Sequence, residues 1–348
     1  MGSSLDKPIV EKQLDDDDGN GLEICVSAMQ GWRVSMEDSH TIMAHIPDQP
    51  DCSYSAVYDG HGGDRIAMLA GRTMPDHLME AAAWADYRAL EDKTTDEAAV
   101  LVGEAMKQAF LAFDKKHYAA YNKARASGTE RVDSSGCTAI ACITTPTFIV
   151  VANVGDSRGI LSRGQRTEAM SYDHKPQNPV ETARIERSGG HVSMGRVNGD
   201  LAVARALGDY DYKDNDGLEL VQQAVSPEAE VEWRRRNGTE EFVLLACDGV
   251  WDVMGNNEVG AFVRQNFKNY EEPMLSPCNA MSDLIETCLN KGSRDNMTAL
   301  VVTFVKEGNC LISSEPKEWK TVLKPEYAED STPPYDPDSN KTIRIDDF

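Results

Sequence analysis

Ser55-Ala56-Val57-Tyr58-Asp59-Gly60-His61-Gly62-Gly63-Asp64 is a short apolar run that ends on a carboxylate and opens into glycines. The run reads as a strand, and the pattern recurs. Ile149 to Val154 leads into Gly155-Asp156-Ser157-Arg158, and Val243-Leu244-Leu245-Ala246-Cys247 leads into Asp248-Gly249-Val250-Trp251-Asp252. In Ser293-Arg294-Asp295-Asn296 the carboxylate comes first and the apolar run, Thr298 to Val305, follows. Asp59, Asp156, Asp248 and Asp295 thus occupy the same kind of place, at the end of a strand or in the turn beside one.

More strands surround these. Ile24, Val26 and Ala28 alternate with polar or small residues, and Tyr54 to Tyr58, Ala139 to Ile143, Phe148 to Val154, Phe242 to Cys247 and Leu300 to Val305 are short apolar runs. Several are apolar on both faces, which places them inside a stack. Helical spacing appears between them. Thr94-x-x-Glu97 makes a capping box ahead of Val102, Met106, Phe110, Phe113 and His117. Asn178-Pro179-x-Glu181 opens a helix that Gly189-Gly190 ends, and Asn257 to Phe267 and Met281 to Leu289 complete the set. Strands joined by short links, with helices in separate blocks, predict an α+β fold of antiparallel sheets with helices packed outside.

Residues 1–21 carry Asp15-Asp16-Asp17-Asp18 and read as a flexible acidic arm, and residues 306–348, with Pro333-Pro334 and Pro337, as an irregular tail. Asp16-x-Asp18-x-Asn20-Gly21 begins like a calcium loop, but its twelfth position is Ser27 rather than Glu. With 41% hydrophobic residues, 26 Gly and 15 Pro in 348, the composition excludes collagen-like and low-complexity chains. The 58 acidic against 35 basic residues give a formal charge of −23, which disfavours nucleic acid and anionic membranes as partners. No apolar run reaches the ~18 residues of a membrane span, and Met1 to Asp18 lacks the apolar stretch of a secretory signal. The eight Cys contain no Cys-x-x-Cys pair, so reduced thiols, no zinc site and a cytoplasmic or nuclear location are expected. Met1-Gly2 would admit myristoylation, but Asp6 stands where that motif takes Ser or Thr; membrane association is expected only if Gly2 is acylated.

Taken singly, an acidic residue after a strand is more often a turn former or a helix cap. Jointly, with glycine beside three of the four and His61 within Asp-Gly-His-Gly-Gly, they point elsewhere. Carboxylates gathered at one sheet edge raise one another's pKa and cannot all stay ionised unpaired. A hard divalent cation resolves this, and oxygen ligands favour magnesium or manganese. Glycine lets the backbone come close enough for the Gly60 carbonyl to be a ligand as well. Upstream, Gln30-Gly31-Trp32-Arg33-Val34-Ser35-Met36-Glu37-Asp38 adds a guanidinium fork suited to phosphate oxygens and two further carboxylates suited to metal-bound waters. Alone, Arg33 would read as a surface ion pair.

Together these residues resemble the metal-dependent Ser/Thr protein phosphatases of type 2C. The matching motifs continue through Ser135-Gly136-Cys137-Thr138-Ala139, Asp173-His174-Lys175-Pro176, Arg196-Val197-Asn198-Gly199 and Ala204-Arg205-Ala206-Leu207-Gly208-Asp209. The resemblance covers Leu22 to about Val305, residues 22–305, as one catalytic domain. It implies a sandwich of two antiparallel β-sheets flanked by α-helices, with two metals in a cleft at one end. Asp59 would bridge them, with the Gly60 carbonyl on one and Asp248 and Asp295 on the other. Glu37 and Asp38 would act through waters, and Asp156, with Asp248 and Asp252, resembles the ligands of a weaker third metal. The stretch from His174 to Val192 corresponds to a variable flap that influences substrate choice.

The expected reaction is hydrolysis of phosphoserine and phosphothreonine in phosphoprotein substrates, by in-line attack of a water bridging the metals. Arg33 would orient the phosphate and His61 protonate the departing oxygen. The acidic surface predicts a mild preference for phosphosites flanked by basic residues, and the chain is expected to act as a monomer. The rival from another class is a catalytically inactive relative serving as a binding scaffold, disfavoured because every ligand-type position is filled. Cys288 to Arg294 has the spacing of thiol-dependent phosphatases, but Met281, Leu284, Ile285, Cys288 and Leu289 share one apolar helical face, so Cys288 is expected in the core. Gly155-Asp156-Ser157-Arg158-Gly159 mimics a nucleophile elbow, but the Ile160 to Gly164 stretch reads as a hairpin arm where a helix is needed.

Overall fold

The computed structural model describes residues 4–128, 133–267, 276–305 and 320–321. A long hairpin opens the chain: β1 (Ser4–Gly19) and β2 (Leu22–Arg33) turn at Asn20-Gly21, whose φ values of 56° and 70° suit a type I′ turn. β3 (Ser39–Met43), β4 (Ser53–Tyr58) and the short β5 (Gly60–His61) precede three helices, α1 (Arg65–Glu80), α2 (Ala82–Ala89) and α3 (Asp96–Ala126). β6 (Gly136–Cys137), β7 (Ala139–Thr144), β8 (Phe148–Val154), β9 (Arg158–Arg163) and β10 (Arg166–Ala169) follow. Then come α4 (Pro179–Arg187), the hairpin of β11 (Val192–Ser193) with β12 (Arg196–Val197), β13 (Leu207–Gly208), β14 (Glu230–Arg235) and β15 (Glu240–Ala246). α5 (Asp248–Trp251), α6 (Asn256–Phe267), α7 (Ser276–Asn290) and β16 (Met297–Phe304) close the domain, and β17 (Lys320–Thr321) lies beyond it.

The strands form two six-stranded antiparallel sheets, β1-β2-β16-β15-β9-β10 and β14-β8-β7-β4-β3-β17. The inner strands, such as β8 and β15, are apolar on both sides because both sides are covered. Ile149 and Val151 of β8 face the other sheet, in a core with Ile24, Val26, Val243 and Leu300. Phe148, Val150, Ala152 and Val154 of the same strand pack in the layer that holds α1, α2 and α3. On the opposite face, Phe242, Leu244 and Ala246 of β15 meet Val259 and Val263 of α6 and Leu284 and Ile285 of α7. The result is a helix–sheet–sheet–helix stack, as expected. A fourth small core, with Ile185, Val197, Val203 and Val225, lies beside α4.

Four expectations need correction. Residues 4–19 are not a free arm: β1 pairs with β2 from Ser4↔Arg33 to Gly19↔Leu22, and so extends the first sheet ahead of Leu22. An edge strand tolerates exposed charge, which also blocks further pairing. One acidic side chain turns inward, where the Asp17 carboxylate accepts the Ala44 N–H at 2.8 Å. Within the tail, Lys320 and Thr321 pair with Ile42 and Thr41 as an edge strand; its other residues lie outside those described. Thr94 does not cap α3. The N-cap is Thr95, and the Thr94 hydroxyl donates instead to Asp92 at 2.6 Å. Finally, the thiols are not all free: Cys25 on β2 and Cys278 on α7 form a disulfide with Cα atoms 5.3 Å apart, a spacing that suits such a bond. Cys52, Cys137, Cys142, Cys247 and Cys288 are free and buried; Cys310 lies outside the described residues.

Candidate metal centre

Antiparallel pairing decides where the strand ends fall. β2 ends, β16 begins and β15 ends on one edge of the first sheet, while β3 begins, β4 ends and β8 ends on the matching edge of the second. Arg33, Asp295 and Asp248 therefore share that end of the sandwich with Asp38, Asp59 and Asp156. The electrostatics record the convergence. Asp59 is held well above the usual carboxylate range by desolvation, then by the charges of Asp248, Asp38, Asp156 and Asp295. Asp248 is raised in the same way, by desolvation and then by Asp156, Asp295 and Asp252. Desolvation likewise raises Asp252. Burial pushes Asp38 up to about 7 against the hydrogen bond from the Thr298 hydroxyl, with Asp295 adding to the rise.

Ligand atoms of Asp38, Asp59 and Cys247 lie within 4.8 Å of one another. Asp38 is 3% exposed; its Oδ2 accepts from Thr298 at 2.7 Å, while its Oδ1 is buried with no hydrogen-bond partner. Divalent oxygen-seeking cations fit this donor set, because an orphaned buried carboxylate oxygen beside other raised carboxylates lacks only positive charge. Cys247 does not belong to that set. Burial first, then Asp38 and Asp59, hold its thiol well above its ordinary value, and it bonds to Asn296 O and Thr298 N. A neutral soft sulfur is a poor ligand for a hard cation.

Gly60 sits where a side chain would run into the Glu37 carbonyl, so the Arg33–Asp38 loop and the Asp59-Gly60 turn touch backbone to backbone. Glu37 accepts from the Ser35 hydroxyl at 2.8 Å and from Gly63 N–H at 3.4 Å. Arg33 is exposed at the rim and donates to Asp295 Oδ2 at 2.5 Å. Lys175 donates to Asp156, which is 4% exposed. His61 bonds through Nε2 to Asp209 Oδ2 at 2.7 Å; burial lowers its pKa, but Asp209 more than offsets this and the net shift is upward.

All nine expected site residues, Arg33, Glu37, Asp38, Asp59, Gly60, His61, Asp156, Asp248 and Asp295, are thereby drawn to one end of the sandwich. The sequence reading assigned no role to Lys175, Asp209 or Asn296. Asn296 is the tie between the chain's two ends: its side chain donates to Gln30 O at 2.9 Å and Ser35 O at 3.0 Å and accepts the Glu37 N–H at 2.9 Å. Its place beside Asp295 was visible, its reach was not. Cys288 is a core thiol, 0% exposed and pushed up to about 12 by burial. Ser157 is followed by β9 and so is no nucleophile elbow. Asp16 and Asp18 lie in β1, not in a calcium loop.

Residues 22–297 match the family model of protein phosphatase 2C. Protein phosphatase 1B of Mus musculus is 42% identical over 307 residues, covering 87% of this chain and 76% of that protein. Protein phosphatase 1A of Homo sapiens is 40% identical over 306 residues, with the same two coverages of 87% and 76%. Among solved structures, the serine-threonine phosphatase 2C of Toxoplasma gondii superposes with a TM-score of 0.69 at 22% identity, over 86% of this chain and 98% of that one. A sex determining protein of C. elegans superposes at 0.65 and 23% identity, over 83% and 66%. At such identities the two structures speak for the fold. Among the described residues, no helix is long and apolar enough to cross a membrane.

Proposed function

The chain belongs to the protein phosphatase 2C family, and from that premise we propose that it hydrolyses phosphoserine and phosphothreonine in phosphoproteins with the help of magnesium or manganese. One observation carries the metal reading: the buried, unpartnered Asp38 Oδ1 among carboxylates that raise one another's pKa.

In this reading Asp59, the Gly60 carbonyl, Asp248 and Asp295 would hold two ions, with Glu37 and Asp38 as outer carboxylates. Asp156, with Asp248 and Asp252, would form a weaker third position. Bound there, the ions supply Lewis acidity and a water acidic enough to attack near neutral pH. The protein's own groups do the rest. Arg33 spends one N–H on Asp295 and keeps the others of its fork for phosphate oxygens. His61, whose pKa is raised because Asp209 outweighs the lowering by burial, donates a proton to the departing Ser or Thr oxygen.

The test is Asp248→Ala, assayed on a phosphothreonine peptide and on its phosphotyrosine counterpart, with manganese binding followed by calorimetry. The reading expects the phosphothreonine peptide to be preferred by the parent enzyme. It also expects most of the turnover and the tighter manganese uptake to vanish in the variant. An Asp248→Ala protein with unchanged rate and metal dependence contradicts it.

A further inference from the structure

We propose that Asp209 is the positioning residue for His61, and that a buried ion pair between Asp114 and Lys213 holds Asp209 in place. The proposal rests on the reading of His61 as proton donor and extends it to residues outside the carboxylate cluster.

The geometry runs inward from α3. Asp114 and Lys213 are both 0% exposed and bonded at 2.8 Å. The other oxygen of Asp114 accepts the Gly208 N–H at 2.8 Å, and the Lys213 ammonium also donates to Ala206 O at 3.0 Å. One carboxylate on α3 thereby holds the 206–213 segment at two points, and Lys213 ties a third, Ala206, to them. A buried ion pair is a poor way to gain stability, since apolar side chains of similar volume often do as well. What it does supply is direction, because each bond accepts only a narrow geometry.

The segment that is held is itself unusual. Asp209 has φ +52°, the left-handed region that a residue with a side chain seldom enters. Its N–H donates to Ser135 O at 3.1 Å and its carbonyl accepts from Tyr212 N–H at 2.9 Å. Its carboxylate lies directly on Gly136, where a Cβ would collide with it. The small sheet β13-β6-β5 carries Gly208, Gly136 and His61 side by side, so this carboxylate and the imidazole are set by one backbone unit. Backbone strain of this kind persists where the surroundings over-determine it.

An ionised carboxylate only accepts, so Nε2–H of His61 donates to Asp209. That fixes the ring and leaves Nδ1 as the nitrogen that can hand a proton to the departing alkoxide.

Two substrates separate positioning from general structure, because 4-nitrophenolate departs without a proton and a threonine alkoxide does not. With manganese and the full chain, Asp209→Asn is expected to lower kcat on a phosphothreonine peptide about tenfold or more, with KM changed less than about twofold. The ratio of 4-nitrophenyl phosphate to peptide kcat then rises by about the same factor. His61→Gln raises that ratio too, and the double variant is no worse than His61→Gln alone. The paired apolar change Asp114→Leu with Lys213→Met keeps the interior packed and is expected to shift the ratio in the same direction. Equal losses on both substrates, or additive losses in the double variant, overturn the proposal. A ratio moved by His61→Gln but not by Asp209→Asn overturns the positioning role alone. A ratio untouched by His61→Gln overturns the proton-donor reading and this proposal with it.

Discussion

Asp38 and Asp59 flank neighbouring strands of one sheet, just before β3 and just after β4, with ligand oxygens within 4.8 Å of each other. Two carboxylates so close, one with a buried unbonded oxygen, are costly without a cation. Asp59→Ala is therefore expected to stabilise the metal-free protein while abolishing its stabilisation by manganese. For a chain of this size, a relief of about 1 kcal/mol raises Tm by about 2 °C. Thermal unfolding with and without manganese checks both halves. A destabilised metal-free variant would contradict the crowding argument.

Burial of Asp38, with the Asp295 charge adding to it, sets a pH dependence. Asp38 titrates at about 7 in the folded protein, against 3.8 for the free group. The native state thus holds its proton more tightly than the unfolded state does. Its contribution to stability is full below the unfolded value and is lost as pH rises through about 7. In chelator, Tm is expected to fall between acid and neutral pH, and Asp38→Asn to flatten that fall. Added magnesium should restore more stability at the higher pH, where the carboxylates are ionised. An identical pH slope in the variant contradicts the assignment.

Cys25 and Cys278 close a loop of 253 residues between β2 and α7. Cross-links of that span stabilise by about 5 kcal/mol in the chain-entropy account. Reductant is expected to lower Tm in the parent protein and to leave Cys278→Ser unaffected. Equal sensitivity in both would place the effect at another pair of thiols.

Cys288 lies in the apolar layer between α7 and β16, with its thiol held up at about 12. A nucleophile needs the thiolate. Cys288→Ser should keep kcat on a phosphothreonine peptide within about twofold, at some cost in stability. Loss of turnover in a folded variant would revive the thiol mechanism.

Much of this architecture was written locally. β8 and β15 read as strands because apolar residues fill both faces, and the two faces meet different layers. The carboxylates were legible because each stands at the end of such a run or, like Asp295, just ahead of one. β1 was not, because most of its side chains are exposed and its order comes from backbone pairing with β2, which leaves no hydrophobic period. α1 gave no clear signal either: Pro75 and Gly71 interrupt its apolar face. Asp209 and Asn296 act through bonds to distant segments, so their neighbours in sequence say little of what they hold. The Cys25–Cys278 bond is the extreme case, since only the folded packing of α7 on β2 brings those residues together.

The most direct measurement is phosphate release from a phosphothreonine peptide, with magnesium or manganese and then with excess chelator. Turnover that needs the metal and stops when the chelator removes it is the predicted result. Turnover indifferent to chelator would contradict the carboxylate centre, and no turnover with either metal would point to a binding scaffold.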